Sequence, residues 1–292
     1  MITYSHRCAR SHVASIFCAA ILFASFRASA ADPLPATTLT PISGGGQVGI
    51  LNAAFPIPLA VRVLDSEGNP VPGVPVYFDA DHCHNDGTEC SLPTAYPIFD
   101  GGNVDVVATS DITGTAVAPT LNAGDMEGAY FANTATIYTN GPSSTPIAEA
   151  FFWVAQIAPI ASVPITATFT GAWYDPNQSG HGLLLEVLPE NRLMAYWFTF
   201  TPDGTQQAWF GGVGDIHGDQ AVIYANQGQD GQWIPNFNPA LFKNQAWGTL
   251  AFIFTDCNHG RVYFTGEGGN SIWGRSTMDI SRLTMPAGLS CQ

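Results

Sequence analysis

The densest group of chemically capable side chains is Asp81-His82-Cys83-His84-Asn85-Asp86, followed by Glu89 and Cys90. His82 and His84 fall on one side of an extended chain, so with Asp86 they could chelate a divalent metal such as zinc or copper. Cys83 and Cys90 lie in the same stretch, and a cysteine pair in an exported chain reads first as a disulfide, which withdraws both thiolates from coordination. Asp100, Asp105, Asp111 and Asp125 could offer oxygens to calcium, but they lack the spacing of a calcium loop and sit among turn residues, where Asp caps the backbone. Ser179-Gly180-His181-Gly182 lacks the G-x-S-x-G elbow of a serine hydrolase. Asp175, Glu186 and Asp215 make a glycosidase pair only if folding turns two of them towards each other. No cofactor beyond the divalent metal is implied.

Aromatic residues are the stronger signal. Six of the seven tryptophans, Trp173, Trp197, Trp209, Trp233, Trp247 and Trp273, lie in the second half of the chain. In Ala195-Tyr196-Trp197-Phe198-Thr199-Phe200 successive rings of a strand must point to opposite faces, so some fill an interior and others face outward. Outward rings beside Asn, Gln and Asp suit stacking on the CH faces of sugars, whereas inward rings simply fill a core. Trp173, Tyr174, Trp209 and Trp233 are the candidate ligand-binding residues. Trp233, in the loop-like stretch Gly231-Gln232-Trp233-Ile234-Pro235-Asn236, is the first choice for an exposed ring.

The N-terminus reads as a leader over residues 1–30: basic Arg7 and Arg10, an apolar run from Val13 to Phe26, then Ala28-Ser29-Ala30 before a cleavage point. Loss of its three arginines leaves six cationic residues against 23 acids, a net charge of −17 where the full chain carries −14. Such a surface repels nucleic acid and anionic lipid. No later run approaches the length of a membrane helix, so the mature chain is expected to have no transmembrane segment and to be periplasmic, surface-exposed or released. Cys8 and Cys18 leave with the leader; Cys83, Cys90, Cys257 and Cys291 remain and allow three disulfide pairings. The local pairing, Cys83–Cys90 and Cys257–Cys291, keeps each bridge inside one domain, at about 2–4 kcal/mol each.

The elements needed to position these residues are short strands. Composition divides the mature chain into residues 31–158, a linker at 159–166, and the Trp-rich 167–292. In the first part, Pro58 to Leu64, Val74 to Ala80, Gly128 to Tyr138 and Ala148 to Gln156 alternate as strands around dense turn chemistry, the pattern of an antiparallel sandwich. In the second, strands are predicted near Ile165–Trp173, Gly182–Leu188, Arg192–Thr201, Gln206–Val213, Gln220–Asn226, Gly248–Thr255, Gly260–Thr265 and Ser276–Leu283. Eight short strands joined by tight turns suit an up-and-down barrel or a two-sheet sandwich. One helical turn is expected within Asn238 to Asn244.

Two resemblances accompany this reading. Asp65-Ser66-Glu67-Gly68-Asn69-Pro70-Val71-Pro72-Gly73-Val74, with Thr113-Gly114-Thr115-Ala116, resembles a bacterial Ig-like domain of the invasin/intimin type over about residues 39–158. That resemblance implies a structural spacer or adhesive module rather than an enzyme. The chain departs from the family in lacking an outer-membrane barrel anchor and in inserting Asp81 to Asp105. Thr170-Gly171-Ala172-Trp173-Tyr174-Asp175-Pro176-Asn177-Gln178-Ser179-Gly180-His181-Gly182, with Trp247-Gly248-Thr249-Leu250 and Thr255-Asp256-Cys257-Asn258, is similar to a recurrent module of exported proteobacterial proteins. It implies architecture and no assigned chemistry.

The expectation is therefore an all-β protein, an Ig-like antiparallel sandwich followed by a second antiparallel β-barrel or β-sandwich. It would be exported and non-catalytic, a binding or adhesion-type envelope protein whose partner is a glycan or a surface protein, and not a nucleic acid. An extracellular hydrolase acting on a polymer and a purely structural envelope protein are the alternatives.

Overall fold

Turn chemistry sets the strand boundaries. At Asp65 the carboxylate accepts from the backbone N–H groups of Asn69 (2.9 Å) and Glu67 (2.8 Å), which closes the tight turn after one strand and holds the carboxyl below its usual range. Asp111 does the same for Thr113 and Thr115, and Asp203 for Thr205. The computed structural model describes residues 35–82, 95–127 and 130–290, without the side chains of Asp81, His82, Tyr130 and Phe131. The expected leader and Cys83, His84, Asp86, Cys90 and Cys291 lie outside the described residues.

The protein is all-β. The first part carries β1 (Thr38–Ser43), β2 (Val48–Ile50), β3 (Ala60–Leu64), β4 (Pro75–His82), β5 (Ile98–Phe99), β6 (Asp105–Thr109), β7 (Thr115–Val117), β8 (Leu121–Asn122), β9 (Tyr130–Tyr138) and β10 (Pro146–Ile157). They form a three-stranded sheet β1-β3-β7, a five-stranded sheet β2-β10-β9-β4-β6 and a small pair β5-β8. All pairings are antiparallel except β2 with β10. Leu59, Val61, Val63, Val76, Phe78, Ala135, Ile137, Phe152 and Val154 fill the space between the two larger sheets. A two-sheet sandwich is a form shared by unrelated families, so the Ig-like resemblance stays with the residues that carry it.

The second part is a closed barrel of eight antiparallel strands in sequence order: β11 (Gly171–Tyr174), β12 (Gly182–Leu188), β13 (Arg192–Phe200), β14 (Gln207–His217), β15 (Gln220–Gln229), β16 (Lys243–Asp256), β17 (His259–Gly266) and β18 (Arg275–Arg282). Closure comes from β11 pairing with β18, Trp173 opposite Arg282. It leaves the sheet without an open edge. Alternation decides which side chains enter: Leu193, Ala195 and Trp197 of β13 and Leu250, Phe252 and Phe254 of β16 point inward. Closed barrel rather than second sandwich is thus the outcome for this half.

Two local expectations change. The strand predicted over Ile165–Trp173 is a 3-10 turn at Ala167–Phe169 followed by the four-residue β11. Here Ile165 and Phe169 turn inward, and the Phe169 ring lies 4.4 Å from Phe254 and 6.3 Å from Trp173, so plugging the barrel end outweighs extending the strand. The helical turn expected in Asn238 to Asn244 is a side-chain-capped turn, Ala240 N–H to Asn238 Oδ1 at 3.0 Å, with β16 starting at Lys243.

The described residues belong to one compact unit. The sandwich covers the outer face of β15, β16 and β17: Val48, Ile57, Ala155 and Ile157 pack on Val222, Ala251, Ile253 and Tyr263. Gln220 anchors this contact as a strand would. Its Oε1 accepts from Val48 N–H (2.9 Å) and its Nε2 donates to Val48 O (2.8 Å). The Arg275 guanidinium sits 3.3 Å over the Trp153 ring, joining barrel to sandwich at a second point. Residues 159–166, the expected linker, are tied along the barrel by Val163 N–H to Phe254 O (2.9 Å) and Ile165 N–H to Gly218 O (3.3 Å).

Candidate functional site: an aromatic groove on the free wall of the barrel

With parts of β15, β16 and β17 covered, outward side chains of β12, β13 and β14 such as Leu184, Phe198 and Trp209 meet solvent. Register places Leu184 opposite Tyr196, Tyr196 opposite Gly211, and Phe198 opposite Trp209. All face outward because their neighbours Leu183, Leu185, Ala195, Trp197 and Phe210 face the barrel core. Trp209 is 51% exposed, and Leu184 and Phe198 are also exposed. The Trp209 ring leans at 46° to Tyr196, with centroids 6.0 Å apart. A side-chain carbon at Gly211 would come within 2.1 Å of Ala195 O and 2.8 Å of Tyr196 Cδ1, so glycine there lets the neighbouring strand and the tyrosine ring approach closely.

Beside this platform is a hollow of about 500 Å³ lined by Tyr174, Gly180, His181, Leu184, Phe198 and Leu283, among others. Phe198 belongs to both, so platform and hollow form one groove. His181 is held at its edge by a 2.5 Å hydrogen bond between its Nδ1 and Thr199 Oγ1, with its ring edge-on to Phe200 at 5.7 Å. Asp175 shapes the loop that carries His181: its carboxylate accepts from Asn177 N–H (2.8 Å) and Gln178 Nε2 (2.7 Å). Gln207, two residues before Trp209 on the same face, supplies an exposed amide. Flat rings with an amide at the rim suit a ligand with a CH face and hydroxyl edges.

Of the four aromatic residues singled out from the sequence, the fold brings Tyr174 and Trp209 to this groove through Phe198. Trp173 forms part of the floor but is 0% exposed, its indole Nε1 donating to Phe169 O at 3.1 Å and its ring packed 5.0 Å from Phe254. No face of that ring is open to a ligand, which corrects the expectation for Trp173: its position in β11 has inward parity. Trp233 is 86% exposed, on the hairpin between β15 and β16. Tyr196 and Phe198 were missed as ligand-facing residues; their alternation with Trp197 was visible, but which parity faced out was not.

The other constellations stay apart. Glu186 faces outward opposite Met194, Asp215 is paired with Arg192 in the β13–β14 register, and Asp175 is engaged with its own loop. His181 bonds to Thr199 and not to Ser179. Among the described residues no group of three or more His, Cys, Asp or Glu could hold a metal, and His84, Asp86 and the His82 side chain lie outside them. Cys257 is disulfide-bonded. Among the described residues no helix is long and apolar enough to cross a membrane. Compared with known proteins, the chain matches no family model and no curated protein.

Proposed function

We propose that this protein is an exported, non-catalytic recognition module of the cell envelope whose barrel binds a glycan along the Tyr174–Phe198–Trp209 groove. The observation that carries this reading is the outward, register-matched set of Tyr196, Phe198 and Trp209 on the wall the sandwich leaves uncovered. Exposed aromatic rings in contact with one another are unusual on a soluble surface and mark interaction sites. Sugar rings match them because their axial CH groups meet the ring face while equatorial hydroxyls reach side-chain amides such as Gln207.

In this reading the sandwich, by its resemblance to bacterial Ig-like domains, serves as spacer or adhesive contact. In the same reading the cysteine pairs expected from the sequence, Cys83–Cys90 and Cys257–Cys291, would form outside the cytoplasm, where the leader-like residues 1–30 would send the chain.

The test is a glycan array probed with the mature protein, followed by Trp209→Ala and Phe198→Ser. Each exposed substitution is expected to change the unfolding free energy by no more than about 0.5 kcal/mol while weakening binding about tenfold or more. Absence of any glycan ligand, or binding indifferent to both substitutions, overturns the reading.

A further inference from the structure

The hollow where the sandwich meets the barrel carries charge of one sign. Alternation in β10 turns Ala150, Phe152 and Val154 into the sandwich core, so Glu149, Phe151 and Trp153 share the opposite face. On the barrel side Glu267 follows the end of β17. Its backbone is fixed by its N–H to Trp247 O (3.0 Å) and by its carbonyl, which accepts from Asn270 N–H (2.9 Å). These four side chains, with Leu39 and Pro41 of β1, line one hollow of about 440 Å³.

Glu267 sets this hollow apart. It is partly buried, yet among the described residues its carboxylate accepts no hydrogen bond and joins no ion pair. Burial holds the carboxyl up at about 7 against the pull of Arg275. The Arg275 guanidinium is committed to the Trp153 ring, 3.3 Å from its centroid. Unlike a polar atom sealed in the core, Glu267 borders open space. A carboxylate drawn from water without a donor is costly, and a cation entering the hollow would relieve that cost.

The lining selects among cations. Among the described residues that line it there is no Lys, Arg or His to repel a positive charge. Calcium takes about six to eight oxygens, more than two glutamates among apolar walls supply. Leu39, Pro41 and the exposed Phe151 suit the methylenes of an organic cation, and aromatic rings attract positive charge. The volume is that of about fifteen water molecules, room for a four-carbon chain and its ammonium head.

We propose that this seam is a binding site for a primary alkylammonium group, its nitrogen donating to Glu267 and facing Glu149, its chain lying on Leu39, Pro41 and Phe151. The site shares no lining residue with the hollow of the glycan groove and stands or falls separately.

A free amine and the lysine side chain of another protein offer the same head. The probes are therefore n-butylammonium and acetyl-lysine methylamide, with 1-butanol as the uncharged counterpart. In ¹H–¹⁵N spectra of the folded protein, either cation is expected to shift the Trp153 indole N–H resonance, and n-butylammonium to bind at least about tenfold more tightly than 1-butanol. The tighter of the two cations identifies the source. Glu267→Gln, which keeps the shape of the side chain, should remove the preference for charge with the circular dichroism spectrum unchanged. Glu149→Gln, at an exposed position, should weaken both cations about threefold. A Trp153 resonance unmoved by both cations, equal affinity for n-butylammonium and 1-butanol, or undiminished binding by either glutamine variant would overturn the proposal.

Discussion

At one end of the barrel Trp173 donates to the Phe169 carbonyl and lies under the Arg282 guanidinium, 4.5 Å from its ring centroid; Arg282 in turn donates to Cys257 O (2.6 Å) and Thr170 O (3.2 Å). At the other end Trp197 and Trp247 carry donors that meet no acceptor, beside a hollow. Both ends are packed with tryptophan and phenylalanine, and each leaves a buried donor unmet, Arg282 Nη2 at the first and the two indoles at the second; what differs is the space beside them. The difference comes from the incoming chain. Ile165 and Phe169 enter at the closed end as a plug, and three short turns, between β12 and β13, β14 and β15, and β16 and β17, close around it. The longer connections between β11 and β12, β15 and β16, and β17 and β18 all emerge at the open end, which keeps the space above Trp197 and Trp247 from being filled from within. Aromatic content does not separate a plugged barrel end from an open one; the chain that enters the first through Ile165 and Phe169 does.

The largest effect that should separate the two ends is truncation. Trp173→Ala is expected to cost about 3–5 kcal/mol by denaturant unfolding, because it empties a sealed space. Trp273→Ala, half-buried at the open rim, should cost about 1 kcal/mol. Equal losses would erase the distinction between the ends. A sharper comparison is Trp173→Phe against Trp247→Phe. Both remove the same ring volume, but only the first strands a buried carbonyl, so it should be the more destabilising by about 1–2 kcal/mol.

A third comparison is a pH dependence where the barrel meets the sandwich. Burial pushes the Glu267 carboxyl up to about 7 against the pull of Arg275, and Glu267 precedes the 3-10 turn that carries Trp273. Between its ordinary value of 4.5 and about 7 the folded chain keeps a proton that the unfolded chain has released. Its contribution is therefore intact below that window and is lost as pH rises through it. In Glu267→Gln the stability advantage over the parent should grow across the same window and level off above it, measured as unfolding midpoints at successive pH values. A constant difference would mean that Glu267 is solvated and that the hollow it lines with Leu39, Pro41 and Trp153, between sandwich and barrel, is wetter than its packing indicates.

Much of the fold was legible in single residues. Pro202-Asp203-Gly204 marked the β13–β14 turn because Asp203 can accept from Thr205 N–H and Gly204 can take a positive φ. Alternation in Ala195 to Phe200 marked a half-buried strand. The Trp233 loop stood out as exposed because Pro and Asn interrupt any pairing pattern around it. Less legible was the groove. Trp173 and Trp209 both sit in strands among small residues, and nothing local distinguishes the sealed ring from the half-open one.

By itself the sequence determined the all-β class, many of the strands and several of the turns, since these follow from the period of two and from the backbone preferences of Gly, Asn, Asp and Pro. Only the tertiary structure decided which parity of each strand faces the core, which wall of the barrel the sandwich covers through Gln220 and Val48, and which indole N–H groups find a carbonyl. Those outcomes depend on barrel closure and on contacts between residues as far apart in sequence as Val48 and Gln220, and burial and hydrogen-bond satisfaction belong to such assembled surfaces, not to any local stretch of chain.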